Sequence, residues 1–494
     1  MKNNSSYSNI FKTTFLFGFV QIFNILVKVV LNKTVAILIG AAGMGIIGIY
    51  NSAIHMIKSG AGLGISQSAV RDISEANAQN DFGKFSKIIS VTNSVIIFTS
   101  ALGVITTIFL SPFLSNWSFG DYSYTSGFML ISIVVGLNIL TDGQLAILKG
   151  MRQLRALAKA SMFGAIVGLF TAVPFYYFIG KDGIIPSLII SALSALFFSS
   201  YYVRKISYKR IKLKAKEIFN ESKSMVSMGV ALMLVSFFVT IFDMIISAYI
   251  SKTGSLSDVG FYHAGAAIIS SYFGVIITAM STDYYPRISA VHNDNLKLKE
   301  EMDRQSETGL IMIFPLVILF VFLSPFFIDI LYSNEFQPTN DYTDYAMIGT
   351  EIIIVSNCMG MILLAKQAAR VFISSVLFQR IILVAVYLFS YTHYGLLGLG
   401  LSYIASGVIH ITVVTFILRH FYDIRLARRI YLLLLFVIST TLVTVFIRTF
   451  DNVYIKYLSG SVVLAASCLF SLFYMKKRMG LNIIKIINKK IRKK

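Results

Sequence analysis

The feature of this sequence that most limits its fold is the recurrence of long apolar runs. Between Phe15 and Met475 such runs follow one another with only short polar breaks, and about 18 to 20 apolar residues in a helix cross the hydrocarbon core of a bilayer. Of the 494 residues, 56% are hydrophobic and 14% are charged, whereas soluble globular domains carry about 25% charged residues. The sequence therefore predicts an all-α integral membrane protein with little chain left for a soluble domain.

The apolar runs divide into about fourteen predicted transmembrane helices, separated by polar or charged breaks. We predict spans at residues 13–38, 44–68, 88–113, 127–148, 157–179, 184–203, 225–250, 259–282, 309–331, 345–365, 371–390, 396–418, 430–447 and 454–475.

The Lys and Arg residues set the predicted orientation, because positive residues are retained on the cytoplasmic side of a membrane. With the N-terminus inside, the inner segments hold 36 of the 44 Lys and Arg residues, and the outer loops hold four, namely Lys181, Lys252, Arg448 and Lys456. Both termini are therefore predicted to be cytoplasmic. The net charge of +21 follows from this topology, so nucleic acid is not expected as a partner.

Two basic inner segments, residues 204–223 and 480–494, alternate isoleucine with lysine at roughly helical spacing. This pattern suits helices that lie on an anionic inner leaflet, and anionic membrane lipids are therefore predicted partners. For residues 204–223 a solvated basic loop fits the pattern equally well, whereas for the C-terminal tail we favour membrane contact.

Comparison of the chain with itself predicts an internal repeat, because several short matches recur in the same order at similar offsets. The matches, at offsets of 212 to 216 residues, pair Leu110-Ser-Pro-Phe113 with Leu323-Ser-Pro-Phe326, Gly48 with Gly260, Gly183 with Gly395, and Arg71 with Arg287.

The repeat predicts how the chain is organised. It would contain six-helix halves at residues 1–203 and 224–420, a basic linker at 204–223, two further transmembrane helices at 421–475 and a basic cytoplasmic tail at 476–494. Six spans is an even number, so the two halves would have the same orientation. Transporters built from parallel repeats bind substrate between the halves and alternate access by rocking them.

Motifs for catalysis and cofactor binding are largely missing. Neither Gly83-Lys84 nor Gly180-Lys181 is followed by Ser or Thr, so the chain lacks a P-loop for ATP. The glycines at 43, 45 and 48 match a dinucleotide fingerprint but lie at the start of a predicted span, where glycine permits close helix contact. The two cysteines and six histidines form neither a disulfide framework nor a zinc-ligand spacing. We therefore predict no enzyme activity, cofactor or metal.

Ionisable residues inside the spans are the remaining candidates for function, because each charge placed at mid-membrane costs about 2.5 to 3.5 kcal/mol. The basic residues are Lys28, Lys33, Lys58 and Arg380, and the acidic residues are Asp142, Asp243 and Glu351. They should face a wet interior. Lys33 at the end of its span could instead extend toward the membrane surface, and any acid could simply neutralise a neighbouring base.

We assign roles to these residues from their charge. A cavity with net positive charge selects anionic cargo, and the planar guanidinium of Arg380 suits phosphate oxygens. Arg380, Lys28 and Lys58 are predicted to bind a pyrophosphate group. Asp142, Asp243 and Glu351 are candidates for ion coupling, because a carboxylate in a drying cavity can load and lose a proton between states.

Several segments resemble the Wzx-type O-antigen translocases, which belong to the multidrug/oligosaccharidyl-lipid/polysaccharide exporter superfamily. They are the glycine-rich stretch from Gly40 to Tyr50, the segment Gly64-Ile-Ser-Gln-Ser-Ala-Val-Arg71, and above all the block from Asp142 through Lys149-Gly150 to Lys159. The likeness covers roughly residues 10 to 420.

This resemblance implies a flippase in the bacterial inner membrane. Its cargo would be an undecaprenyl-pyrophosphate-linked oligosaccharide, such as an O-antigen unit, carried from the cytoplasmic to the periplasmic leaflet through a V-shaped cavity between two six-helix bundles. The resemblance also suggests an ion gradient as the drive, and a Wzy-type polymerase and a chain-length regulator as partners. Many family members have twelve spans, whereas this chain has fourteen predicted spans. A lipid II-type flippase therefore stays open as an alternative. A drug or cation exporter of the same superfamily is a second alternative, and it predicts a cavity with acid-dominated walls.

Overall fold

The computed structural model describes residues 2–79, 82–206, 208, 211 and 213–479, and every regular element in this part of the chain is helical. The fifteen α-helices are α1 (Lys2–Ala61), α2 (Ile65–Ala78), α3 (Phe82–Phe119), α4 (Thr125–Gly150), α5 (Leu154–Ile179), α6 (Ile184–Val203), α7 (Ala215–Thr253), α8 (Leu256–Ala267), α9 (Gly274–Ala290), α10 (Asn295–Phe322), α11 (Ser324–Leu331), α12 (Thr339–Ala365), α13 (Ala369–Tyr422), α14 (Arg428–Arg448) and α15 (Val453–Arg478). A π-helical segment, Ile268–Phe273, joins α8 to α9. The predicted tail helix at 480–494 lies outside the described residues.

Eleven helical stretches in the described residues are long and apolar enough to cross a membrane. Three of them, Ile22–Ala61, Leu154–Val203 and Arg370–Tyr422, each contain one glycine with a left-handed backbone. The φ angles are +69° at Gly40, +62° at Gly180 and +57° at Gly395, a region that glycine adopts without steric cost.

The chain folds back at each of these three glycines. Across Gly395, Gln379 Nε2 donates to Ser406 Oγ at 3.0 Å, and across Gly180, Ser187 Oγ donates to the Tyr176 hydroxyl at 2.6 Å. A straight helix would separate residues 379 and 406 by about 40 Å. The three long stretches are therefore helical hairpins, and the eleven stretches contain fourteen apolar segments. The prediction of an all-α membrane protein with about fourteen spans is confirmed.

The internal repeat is visible in the structure at a constant offset of 215 residues. In the turn after α4, the N–H groups of residues 151–153 donate to the carbonyls of 147–149, and in the turn after α12 those of 366–368 donate to 362–364 in the same pattern. The central residues, Arg152 and Gln367, have φ angles of +55° and +59°. The two turns therefore have the same backbone conformation.

Glycine positions repeat at the same offset. A Cβ atom on Gly45 would overlap the carbonyl oxygen of Leu256, and one on Gly260 would overlap that of Ala41. Gly183 and Gly398 likewise have no room for a Cβ, because each faces the carbonyl eight residues before it. The repeat partners of Gly260 and Gly183 are therefore Gly45 and Gly398, three positions away from the pairs that the sequence matches gave.

The chain divides into two compact units. The first contains the residues up to Gly260 together with Leu331–Ser333, and the second contains Phe261–Ile330 and the residues from Asn334 onward. In the first unit, α1 contacts α3, α4, α5 and α7. These are packing units, and the division into halves at the linker 204–223 stays a prediction.

In the second unit, polar contacts at three levels hold helix α14 against α10 and α12. At one end Arg448 pairs with Asp344, and in the middle Thr441 Oγ1 donates to Glu351 Oε1 at 2.7 Å. At the other end the Ala427 N–H donates to Asp303 Oδ1 at 3.0 Å. Helix α15 packs against α10 and α14, and the Tyr474 hydroxyl near its end donates to Glu307 of α10. Both extra helices are therefore built into this unit.

Several predicted boundaries differ from the observed ones. The span predicted at 44–68 ends at Ala61, because Leu63 and Gly64 have φ angles of +47° and +61° and break the helix before α2. The span predicted at 309–331 begins at Asn295 and ends at Phe322. The second half of the basic stretch 204–223 belongs to α7, which begins at Ala215. An apolar count does not detect such turns or the polar helix extensions beyond the membrane.

Candidate functional site

In the first unit, a cavity of about 190 Å³ holds the predicted residues Lys58 and Asp142. Lys58 Nζ lies 2.9 Å from Asp142 Oδ2, and the two side chains are 25% and 41% exposed. The hydroxyls of Ser59, Thr99 and Ser236 also line the cavity. The ion pair is thus accessible to water within a polar hollow between helices.

The part of α1 that follows Gly40 reaches this cavity because it packs closely against α7. Ser52 Oγ and Ser247 Oγ are 3.5 Å apart, and Ser59 Oγ and Thr240 Oγ1 are 3.2 Å apart. Small residues at this spacing allow helix backbones to approach. The pairing runs antiparallel, since seven residues forward on α1 match seven residues backward on α7.

Lys28 and Asp243 belong to the same part of the first unit. Lys28, Lys58 and Asp142 all act electrostatically on the His55 side chain. A straight helix would place Lys28 about 40 Å from His55, too far for such an effect. The interaction with Lys28 therefore requires the hairpin at Gly40. Lys28 is exposed. By the antiparallel pairing of α1 with α7, the exposed Asp243 lies level with Met56, next to His55.

In the second unit, Arg380 lines a larger cavity of about 560 Å³. Its polar neighbours in the lining include Asn357, Gln379, Tyr403 and His410, and none of the described residues that line it is Asp or Glu. Within the described part of the chain Arg380 makes no ion pair. This cavity therefore carries an uncompensated positive charge among membrane-spanning helices.

The polar side chains around Arg380 are held in place by hydrogen bonds. Gln379 Nε2 donates to Ser406 Oγ at 3.0 Å, and His410 Nδ1 lies 2.8 Å from Ser356 Oγ. The charge of Arg380 acts on His410 and on the half-buried Tyr403. A group bound by the guanidinium would therefore meet several fixed hydrogen-bonding partners.

Glu351 does not line either of these cavities. Its side chain is fully buried against α14, where it accepts the hydrogen bond from Thr441, and its Oε2 atom has no partner within the described residues. The neighbouring Thr350 does line the Arg380 cavity. The structure thus brings Lys28, Lys58, Asp142 and Asp243 to the first unit. In the second unit Arg380 lines the cavity, whereas Glu351 packs against α14 outside it.

Sequence reasoning missed the polar partners of these charges. His55 and His410 both lie within apolar runs, so the search for ionisable residues inside spans could have found them. Asn357, which lines the Arg380 cavity, was harder to find from the sequence. It is the repeat partner of Asp142 at an offset of 215 residues, and only the structure gives that offset exactly. Arg448 was counted among outer-loop residues, whereas its side chain reaches back to Asp344 in α12.

The two cavities can bind anionic groups by different means. Arg380 offers a planar fork of N–H donors that matches a phosphate group, and among the described residues it has no ion pair that must first be broken. Lys58 offers a point charge that is already paired with Asp142. Within the described residues, no group of three or more His, Cys, Asp or Glu could hold a metal ion.

Comparison with known proteins identifies the sequence family. Residues 45–341 match the family model described as polysaccharide biosynthesis protein. The lipid III flippase of Escherichia coli strain K12 is 20% identical over 396 residues, covering 77% of this chain and 91% of that protein. The lipid III flippase of Shigella flexneri gives the same values.

Solved structures show the same fold. The lipid II flippase MurJ in its inward closed conformation has a TM-score of 0.68 at 15% identity, covering 94% of this chain and 99% of that one. An inward-facing multidrug resistance MATE family transporter of the MOP superfamily has a TM-score of 0.61 at 15% identity, covering 84% and 95%. The fold of the exporter superfamily expected from the sequence is confirmed. Because the family model matches more than half of the chain, this multi-pass membrane protein belongs to the polysaccharide biosynthesis protein family.

Proposed function

We propose that this protein is a flippase for a lipid-linked oligosaccharide in the bacterial inner membrane. The cargo is an undecaprenyl-pyrophosphate-linked unit of O-antigen or a related surface polysaccharide, which moves from the cytoplasmic to the periplasmic leaflet by alternating access. The observation that carries this proposal is the position of Arg380, which has no ion-pair partner among the described residues and lines a cavity whose described lining residues include several polar side chains but no Asp or Glu. Such a cavity attracts an anion and repels the cations that a drug exporter would carry.

Arg380 would bind the pyrophosphate of the cargo. A guanidinium binds phosphate oxygens bidentately, which gives both strength and orientation. Asn357, Gln379 and His410 line the same cavity and can donate hydrogen bonds to further phosphate oxygens or to sugar hydroxyls. The lipid tail needs no such partners and would remain in the bilayer.

Lys58 and Asp142 would link cargo to the ion gradient. Both groups are partly exposed in their cavity, so an arriving phosphate can compete with Asp142 for Lys58. Release from Lys58 would leave Asp142 free to take up a proton or another cation, which couples the two bindings. Lys28 and Asp243 would support phosphate binding and ion binding in the same unit.

The sequence relatives favour a surface polysaccharide unit as cargo. The family model describes polysaccharide biosynthesis, and the curated relatives are lipid III flippases matched over 91% of their length. A lipid II-type precursor has the same pyrophosphate and lipid chemistry, so the sugars decide between them. A surface polysaccharide flippase would work with a Wzy-type polymerase and a chain-length regulator, and both termini would lie in the cytoplasm.

The test is to delete the gene and analyse the lipid-linked intermediates. We expect a complete oligosaccharide-diphospholipid to accumulate on the cytoplasmic face while surface glycan disappears, with restoration by the cloned gene. The mass of its sugars distinguishes a polysaccharide unit from a peptidoglycan precursor. Normal surface glycan and no stalled intermediate, in a strain without a second flippase, would contradict the proposal.

Complementation with variants tests the role of Arg380. Arg380→Gln should lose transport by at least about tenfold, and Arg380→Lys should retain part of it, because a lysine keeps the charge but not the bidentate geometry. Arg370→Gln is the matched control, since Arg370 is an exposed arginine on the same helix outside the cavity. Equal transport by Arg380→Gln and wild type at equal protein level would exclude the cargo contact.

A further inference from the structure

A second pocket in the first unit lies between α3, α4 and α6, beneath the start of the basic linker. Its volume is about 410 Å³, within the usual range for small-molecule sites. At one end it is lined by Arg204, Tyr208, Gln144 and Asn93, and at the other end by apolar residues. It therefore has a polar mouth and an apolar interior.

The polar mouth carries unused hydrogen-bond donors. Gln144 Nε2 donates to Asn93 Oδ1 at 3.4 Å, and Asn93 Nδ2 donates to the Tyr208 oxygen at 3.4 Å. The Tyr208 hydroxyl proton thus remains available to a ligand. The exposed Arg204 side chain forms no ion pair or hydrogen bond with any described residue. Together these groups favour an anion at the mouth.

The apolar end of the pocket lies deeper along the helices and opens sideways. Leu196 precedes Arg204 by eight residues on α6, which places it about 12 Å farther from that helix end. Leu140 and Ile97 complete this end, and Ile97 is 57% exposed on the outer surface of the unit. A ligand with a charged head and an apolar chain fits this gradient.

This pocket is separate from the Lys58–Asp142 cavity. Ile96 lines both of them and forms the wall between them. The pocket also borders the linker, whose residue Ile211 donates its N–H to Ser90 Oγ of α3 at 3.1 Å. A ligand here would therefore touch α3, α4, α6 and the linker without entering the proposed transport site.

We propose that this pocket binds one anionic phospholipid of the cytoplasmic leaflet. Its phosphate contacts Arg204 and the Tyr208 hydroxyl, and an acyl chain lies against Ile97, Leu140 and Leu196. Charge complementarity selects the headgroup, because Arg204 lines the mouth and the linker sequence is rich in Lys and Arg. The lipid fastens the start of the linker to the transmembrane helices. The site goes beyond the proposed cargo function and does not depend on it.

The experiment uses the full-length protein in nanodiscs of phosphatidylcholine with and without phosphatidylglycerol, followed by native mass spectrometry of retained lipid. We expect wild type to retain one phosphatidylglycerol molecule that phosphatidylcholine does not replace. Arg204→Gln should weaken this retention about tenfold, as expected for loss of a charge-assisted hydrogen bond to phosphate. Lys205→Gln is the matched control, because this substitution removes the same charge at the neighbouring position. The Lys205 ammonium lies over the Tyr201 ring, 4.3 Å from its centroid, and outside the pocket.

A second variant tests the apolar part of the site. Ser200→Phe places a ring in the pocket that Ser200 lines, and it should also abolish selective retention while the thermal unfolding temperature stays near that of wild type. Equal weakening by Arg204→Gln and Lys205→Gln would show non-specific attraction by the basic linker and overturn the proposal. Displacement of the retained lipid by a polyprenyl diphosphate at equal concentration would also overturn it, since the occupant would then be cargo.

Discussion

Lys58 Nζ lies 2.9 Å from Asp142 Oδ2, so these two of the four predicted functional residues in the first unit neutralise each other. Sequence reasoning assigned one to the cargo and the other to the ion. Their contact gives both assignments a common mechanism, because only one anion at a time can pair fully with Lys58. It also means that Lys58 can offer its positive charge only when it leaves Asp142, whereas Arg380 in the second unit has no ion-pair partner among the described residues.

Exchanging the two charges separates a structural role of this pair from a transport role. We expect Lys58→Gln to lower transport at least about tenfold, because a phosphate contact of this kind contributes about 1.5 to 3 kcal/mol. The double variant Lys58→Asp with Asp142→Lys restores an ion pair of reversed direction and should restore protein abundance but not transport. The measurements are surface glycan and membrane-protein level in a deletion strain.

The outcome that contradicts this mechanism is full transport by the exchanged double variant. It would show that any ion pair at this place suffices and that Lys58 does not contact the cargo. Lys149→Gln provides a matched control, because Lys149 is an exposed lysine near the end of α4 that lies outside the cavity. It should transport as wild type does.

The burial of Glu351 against α14 gives a second prediction. Because its carboxylate is fully buried against α14 and accepts a hydrogen bond from Thr441, Glu351→Gln should keep that bond and retain transport within about twofold. Thr441→Val removes the donor and should destabilise the protein by about 1 to 3 kcal/mol, seen as a lower unfolding temperature in detergent. Loss of transport by Glu351→Gln at normal protein level would instead make Glu351 the ion-coupling residue.

The sequence predicted the fold well because membrane helices leave a strong local signal. Apolar length identified each segment, including both arms of the hairpin that turns at Gly395. The predicted breaks at 39–43, 180–183 and 391–395 each contain the turn glycine, but the sequence alone did not show that a single glycine with positive φ reverses the helix there. The repeat offset was off by three at Gly260 for a similar reason: its partner, Gly45, is defined by a backbone contact and not by the surrounding letters.

The candidate site was only partly predictable. The sequence identified Arg380, Lys58 and Asp142 because a charged residue inside a membrane span costs free energy and is usually functional. It could not tell that Lys58 meets Asp142, since the residues lie on α1 and α4 and their contact depends on helix rotation. For the same reason it could not tell that Glu351 faces α14 while Thr350, one residue before it, faces the cavity.

The crossing at Gly45 makes a third prediction, on stability. A methyl group at this position would overlap the carbonyl of Leu256, so Gly45→Ala must push two helix backbones apart. We expect a loss of about 1 to 3 kcal/mol, as for overpacked cores, and a clear fall in unfolding temperature. In Gly168→Ala the new Cβ would lie 3.4 Å from the Ser191 side chain, an ordinary contact, and stability should be unchanged or slightly higher. Equal unfolding temperatures for the two variants would show that the crossing is loose.

The pair of Arg448 with Asp344 makes the last prediction, because it fixes the end of α14 to α12. The two side chains are only 17% and 7% exposed, and Arg448 also donates to Ser324 Oγ at 2.5 Å and to the Val321 carbonyl at 3.3 Å. Arg448→Ala leaves a buried carboxylate without its partner, and such changes cost about 3 to 5 kcal/mol.

A double-mutant cycle measures this pair directly. The cycle compares the single variants Arg448→Met and Asp344→Leu with the double variant that carries both. The double variant removes both charges and should recover most of the unfolding temperature lost in each single variant, since a buried ion pair can be replaced by apolar contacts at little cost. Arg425→Ala is the matched control, because its partner Asp423 is exposed and exposed pairs contribute about 0 to 1 kcal/mol. If the double variant were as unstable as the sum of the single variants, the two residues would stabilise α14 independently, and α14 would be held by its other contacts with α10 and α12.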